Sequence, residues 1–326
     1  MKAIVYHRYG SADVLQLEEI EQPVPKDDEV LIKVRASALN PLDWRRLKGI
    51  PLVFHKMMKL RTPTAESPVG IGRDVAGVVE ALGNKVTHFK PGDEVFGACA
   101  AAVAEYACAK ASGLARKPEE LSFEQAASLP VAGLTALQGL RHGNVQAGQK
   151  VLVNGGSGGV GTFAVQVAKS QGAEVTGVCS GANVEMVRSI GADKVIDYTQ
   201  EDFTTSAERY DIIFECVGNK SFSECRRVMK DNARFLGIGA PHDVSIVEII
   251  TALTKGIALS AFSKKKMPMF IAKSSQPDLT TLGELVATRK ITPVIDRRYT
   301  LAETPEAVRY LEAGHARGKV LILVAD

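Results

Sequence analysis

The densest chemistry in the chain is the glycine cluster from Val151 to Gly161, VLVNGGSGGVG. Gly156, Gly158 and Gly161 satisfy the spacing G-x-G-x-x-G, with an apolar strand-like run before them and an Ala/Val-rich segment of helical character after. Each glycine answers a physical need: a tight turn with φ > 0, a backbone that can approach a pyrophosphate with no Cβ in the way, and a helix packed closely on its strand. The helix N-terminus adds unsatisfied N–H groups and partial positive charge. Together with Ser157, Gly159 and Val160, these residues are predicted to cradle the diphosphate of a dinucleotide.

Which dinucleotide is decided about 20 residues further on, where an NAD site usually presents a carboxylate to the ribose 2′-OH. The second strand here closes on Cys179-Ser180-Gly181, which offers small groups and no repulsion to a 2′-phosphate, so NADP(H) is expected. Glu185 lies beyond, on a helix, and reads as a solvated face. Two further segments, Cys216-Val217-Gly218 and Gly237-Ile238-Gly239, follow apolar runs and stand at the carboxyl ends of strands, where doubly wound sheets bind ligands.

The elements that position these groups follow from hydrophobic period. The first third is β-like, with Val30 to Val34 alternating and Val75 to Leu82 nearly all apolar, and Gly/Pro turns punctuate it in the manner of a small barrel-like β domain. From Lys150 the pattern becomes apolar run, turn, amphipathic helix and apolar run again: Glu174 to Cys179, Val195-Ile196, Ile212 to Glu215 and Phe235 to Ile238 read as successive strands. The fold class is therefore α/β, with a doubly wound parallel-sheet domain over residues 123–263 and a second domain built from 1–122 and 264–326. Helices are expected over Leu279 to Ala287 and Pro305 to Ala313, and a last strand over Lys319 to Val324.

Composition excludes several classes. With 326 residues, 45% hydrophobic and 24% charged, the chain should bury a core rather than stay disordered. A net charge of +3 leaves no nucleic-acid footprint, and the single tight basic run, Lys264 to Lys266, reads as surface. Five cysteines with no C-x-x-C pair suit reduced thiols rather than a zinc ribbon or a disulfide scaffold. No signal-like N-terminus or membrane-length apolar run is present, so a soluble cytoplasmic protein is expected.

Five blocks in register carry a resemblance: the glycine cluster, Ala38 to Trp44 (ALNPLDW), Gly72 to Val79 (GRDVAGVV), Pro91 to Val95 (PGDEV) and Gly314 to Val320 (GHARGKV). They resemble the medium-chain dehydrogenase/reductase superfamily, and within it the zinc-free quinone oxidoreductase, or zeta-crystallin-like, branch. The resemblance implies a Rossmann domain inserted in a GroES-like β-barrel domain, an active site in the cleft between them, and a homodimer paired through the edge of the cofactor domain. It also implies hydride transfer from NADPH to a quinone or an α,β-unsaturated carbonyl, with the proton coming from water. A cofactor-binding protein of sensor or nucleic-acid-associated type and a metal-independent alcohol dehydrogenase are the alternative readings.

Zinc members of the superfamily take a Cys where this chain has Asn40 and a His where it has Arg73; asparagine is a poor zinc ligand and guanidinium is none. Asn40 resembles the family's pocket asparagine and is expected to orient the substrate oxygen. Asp43 stands beside it either in a direct role or as a cap and ion-pair partner of Arg45 or Arg46, and Trp44 and Phe54 are candidate pocket walls. Thr135 matches a threonine at the nicotinamide end, Ser180 and Tyr198 match the partners of the adenosine ribose and its phosphate, and Lys319 matches a lysine near the cofactor. Asn183 stands about where NADPH-preferring relatives often carry lysine, with Arg188 as a substitute. The segment from Pro51 to Pro68, including His55, is expected to wall the substrate.

Overall fold

The computed structural model describes residues 1–49, 61–239 and 246–324. Two compact units are present: one from Met1–Leu134, Ser274–Thr288 and Pro293–Asp326, the other from Thr135–Lys273 and Arg289–Thr292.

The first unit is built on a seven-stranded sheet in the order Ile295–Thr300, Lys319–Leu323, Glu29–Leu39, Asp74–Leu82, Glu94–Ala98, Leu114–Arg116, with Tyr106–Lys110 also paired to Glu29–Leu39. Register shifts at Leu31/Ile32 and Val34/Ala36 interrupt the long strand, which lets it serve several neighbours while its apolar residues stay inside. The tail strand Lys319–Leu323 runs antiparallel to it with Val320 opposite Leu39, and Ala38 lies opposite Asp74 on the other side. Those two registers bring Lys319, Asn40 and Asp74 to one place.

The second unit holds a five-stranded parallel sheet in the order Lys194–Asp197, Glu174–Cys179, Lys150–Asn154, Tyr210–Glu215, Met229–Gly237. The order reverses between Lys150–Asn154 and Tyr210–Glu215, which is the topological switch point of a doubly wound sheet. Val151, Leu152, Val153, Ile213 and Phe214 are all buried, as central parallel strands covered on both faces require.

The last strand of this sheet is longer than its apolar run suggests. Met229–Gly237 begins before Lys230, Asp231 and Asn232, and Asn232 takes a positive φ of 64°, so a polar, kinked start hid the strand from any test of periodicity. The helix Gln276–Ala287 starts earlier than its apolar face because Ser275 caps it and Pro277 opens its first turn. Nor is the lysine run a free basic patch: the Lys266 main chain bonds Ala233 and Phe235, and the Lys265 ammonium donates to the Arg226 carbonyl at 2.7 Å.

Candidate functional site

In the first unit a polar cluster is sealed among apolar side chains. Asn40 caps the helix Pro41–Leu47, whose Pro41 suits the first turn. The Asp43 carboxylate accepts from the Asn40 backbone N–H at 2.7 Å, which leaves the Asn40 amide for other partners. Its Nδ2 donates to Asp74 Oδ2 at 3.0 Å and, more weakly, to the Ala38 carbonyl at 3.4 Å, and its Oδ1 accepts from Lys319 Nζ at 2.7 Å. Lys319 Nζ also donates to Asp74 Oδ2 at 2.9 Å. Lys319 is 2% exposed and Asp74 0%, so this is a fully desolvated ion pair. The other Asp74 oxygen accepts from the Val131 N–H at 2.8 Å.

Asp43 completes the cluster, with its Oδ1 buried and without a hydrogen-bond partner. Burial pushes its carboxyl up to about 6; the Asn40 N–H opposes this, Asp74 adds to it, and Lys319 and Arg46 oppose it. Because the folded value lies above the unfolded one, the native state holds this proton more tightly. The resulting stability is complete below pH ~4, is lost as pH rises to about 6, and is flat beyond. An Asp43→Asn variant is expected to lose a stability change of about 3 kcal/mol between those limits. Urea unfolding at four pH values checks it, and a slope equal to the parent's would assign the dependence to another group.

In the second unit the glycine turn links the strand Lys150–Asn154 to the helix Gly159–Ser170. The positive φ falls at Gly155, at 81°, outside the G-x-G-x-x-G triple, whereas none of Gly156, Gly158 and Gly161 has one. The triple is needed for space instead. A Cβ on Gly161 would lie 2.0 Å from the Gly155 carbonyl oxygen, so glycine is what lets the helix seat on the turn. A Cβ on Gly158 would meet only that oxygen, at 3.5 Å, so its open side is free for a ligand backed by the helix N-terminus. The cradle therefore fits a dinucleotide diphosphate. Ser157 and Ser180 are tied together by Asn183, whose Nδ2 reaches Ser157 Oγ at 3.3 Å and Ser180 Oγ at 3.2 Å. Tyr198 is exposed beside them, its N–H bonded to the Cys179 carbonyl, while Arg188 is engaged by Glu185. Val217, Gly218, Gly237, Ile238 and Gly239 close the same end of the sheet.

The remaining expected residues are carried by several elements, and two of them lie outside the described residues. Lys319 lies in the Asn40 cluster of the first unit. Trp44 is packed in the apolar core with Tyr6, Leu39, Leu47 and Val308. Thr135 lies half-buried on the helix Pro130–His142. Phe54 and His55 lie outside the described residues. Burial raises all five thiols, which leaves none as a ready nucleophile. Sequence reasoning missed Asp74, Asn154 and Glu215. Each stands at an end of an apolar strand and gains a long-range partner through the assembled sheet; their one visible signal was a polar residue bounding a buried run.

Two family descriptions match the chain: alcohol dehydrogenase GroES-like domain over residues 26–119, and zinc-binding dehydrogenase over residues 190–322. A chloroplastic NADPH-dependent alkenal/one oxidoreductase of Arabidopsis thaliana is 34% identical over 99% of this chain and 79% of its own length. A chloroplastic quinone-oxidoreductase homolog of Spinacia oleracea is 33% identical over 99% of this chain and 98% of its own. Among solved structures, the quinone oxidoreductase from Coxiella burnetii superposes with a TM-score of 0.87 at 32% identity, covering 100% of this chain and 99% of that one.

A zinc ion does not fit the residues present, despite the second description. Asn40 and Arg73 replace the donors such a site needs, and the Lys319 ammonium already lies between Asn40 and Asp74. Among the described residues no three His, Cys, Asp or Glu side chains are grouped to hold a metal.

Proposed function

The chain belongs to the medium-chain dehydrogenase/reductase superfamily, in its zinc-free quinone oxidoreductase branch, and from that premise we propose that it reduces quinones or α,β-unsaturated carbonyls with NADPH. Bound NADPH supplies the hydride. The turn from Gly155 to Gly161 and the helix N-terminus behind it hold the diphosphate, Ser180 and Tyr198 the phosphorylated ribose, and Thr135, Val217, Gly218 and Gly237 to Gly239 the nicotinamide end.

The observation that carries the metal-free reading is the Lys319 ammonium 2.7 Å from Asn40 Oδ1. A substrate oxygen gains negative charge as hydride arrives, and without a Lewis acid that charge needs donors fixed beforehand. Asn40 orients the oxygen, Lys319 holds the Asn40 amide from behind, and Asp74 holds the lysine in place. Asp43 anchors the Asn40 backbone, and water delivers the proton.

The protein is read as a homodimer. Past the bridge at Lys266, Met269 and Ile271 project from the cofactor unit 55% and 78% exposed, an apolar pair suited to pairing with a second copy. No helix among the described residues is long and apolar enough to cross a membrane, and five unpaired thiols suit a reducing compartment, here taken as the cytoplasm.

Purified protein is expected to sediment as a dimer and to oxidise NADPH with an enone or a quinone at an unchanged rate after chelator treatment. Strict metal dependence, or NADP⁺ reduction by simple alcohols with no enone turnover, would overturn the reading.

A further inference from the structure

Glu215 ends the strand Tyr210–Glu215 at the switch point of the sheet, directly opposite Asn154 of the neighbouring strand. It is buried, yet none of its acceptor groups is idle. Oε2 accepts from Asn154 Nδ2 at 2.7 Å, at the root of the glycine turn. Oε1 accepts from the backbone N–H groups of Val217 at 2.9 Å and Gly218 at 2.8 Å. The Glu215 carbonyl accepts from the N–H groups of Ile238 at 2.8 Å and Gly239 at 3.0 Å. One residue thus bonds to three of the segments that carry the cofactor-binding reading.

Those segments also touch one another. A Cβ on Gly155 would lie 2.7 Å from a Val217 methyl, and a Cβ on Gly239 would lie 2.2 Å from the Cys216 carbonyl oxygen. Loops packed this closely have one common arrangement, and the groups that fix it determine how well the cradle is formed before a ligand arrives. Burying a carboxylate is costly, and burial raises the Glu215 carboxyl, with the Asn154, Gly218 and Val217 hydrogen bonds opposing the rise. A neutral glutamine could not match these partners, since one end of its amide would face a donor.

We infer that Glu215 is a positioning residue for the dinucleotide: its carboxylate locks the turn at Gly155, the Val217-Gly218 loop and, through its carbonyl, the Ile238-Gly239 loop into one preformed cradle. This rests on the NADPH reading above. It concerns the diphosphate and nicotinamide ends of the site, and none of the Glu215 bonds above reaches Ser180 or Tyr198, so it carries no direct discrimination of the 2′-phosphate.

The test is Glu215→Gln, alone and combined with Asn154→Asp, which replaces the opposed donor with an acceptor. In E215Q the dissociation constant for NADPH, read by fluorescence quenching well below the melting temperature, is expected to rise about tenfold, the effect of one lost charge-assisted hydrogen bond. The NADPH/NADH affinity ratio should stay unchanged, and exchange of the Val217 and Gly218 amides should accelerate in ligand-free protein. E215Q/N154D should recover most of the affinity. If E215Q does not fold, Asn154→Ala, which keeps both backbone bonds, should raise the constant several-fold. NADPH affinity within twofold of the parent's, or a loss that appears only near the melting temperature, would overturn the inference. If the unmodified protein failed to bind NADPH, the cofactor reading would fall, and the amide exchange of E215Q would alone decide whether Glu215 orders the loops.

Discussion

Replacing Lys319 with methionine is expected to destabilise the protein by about 3–5 kcal/mol and to lower enone turnover by about two orders of magnitude. The stability loss follows from what the substitution leaves behind rather than from what it removes. Asp74 is 0% exposed, and without the ammonium its Oδ2 keeps only the Asn40 amide, with the Asp43 carboxylate nearby. An uncompensated buried charge is far more costly than the absence of the pair. Asp74→Asn combined with Lys319→Met should therefore recover most of the stability while leaving turnover low. Urea unfolding and steady-state kinetics check both halves. A stability loss below 1 kcal/mol would show that the pair is not isolated from water, and wild-type turnover would remove Lys319 from the chemistry.

The second large effect is expected from Gly161→Ala. The added methyl group would lie 2.0 Å from the Gly155 carbonyl oxygen, 2.8 Å from its carbon and 3.0 Å from the Gly156 Cα, all backbone atoms with no rotamer to change. Either the helix lifts or the turn moves, and in both cases the N–H groups at the helix start lose their aim. We expect at least a hundredfold rise in the NADPH dissociation constant and a stability loss of about 1–3 kcal/mol. Gly158→Ala is the informative comparison. Its Cβ meets only one protein atom, at 3.5 Å, so this variant should keep the parental melting temperature and still bind NADPH poorly. Normal NADPH binding by G161A would show that the turn yields more readily than its packing implies.

These two sites differ in how visible they were in the sequence. The glycine cluster is local, with strand, turn and helix all lying between Lys150 and Ser170, so spacing alone carries its meaning. Even there, the residue with φ at 81° is Gly155, which the three-glycine pattern does not include. The Asn40 cluster is the opposite case. Asp74 and Lys319 stand at the starts of apolar strands, and they meet Asn40 only because the tail strand pairs beside Leu39 while Asp74 pairs opposite Ala38. Asn40 and Lys319 could be marked by resemblance, but their hydrogen bond could not. Glu215 was hidden in the same way: its partners come from two neighbouring strands and from its own loop, a set that exists only once the sheet is assembled.

The sequence distance between Asn40 and Lys319 also has a bearing on biosynthesis. The two are 279 residues apart, so at typical elongation rates about 15–55 s pass between the emergence of the asparagine and that of the lysine from the ribosome. Through that interval Asp74 has no cation to accompany it into the interior, and the sheet around it cannot close. The strand pairings of the parallel sheet, from Lys150 to Gly237, all fall within one continuous stretch. The strand pairings of the parallel sheet are therefore available to the nascent chain before the tail strand exists, whereas the sheet around Asp74 waits for Lys319.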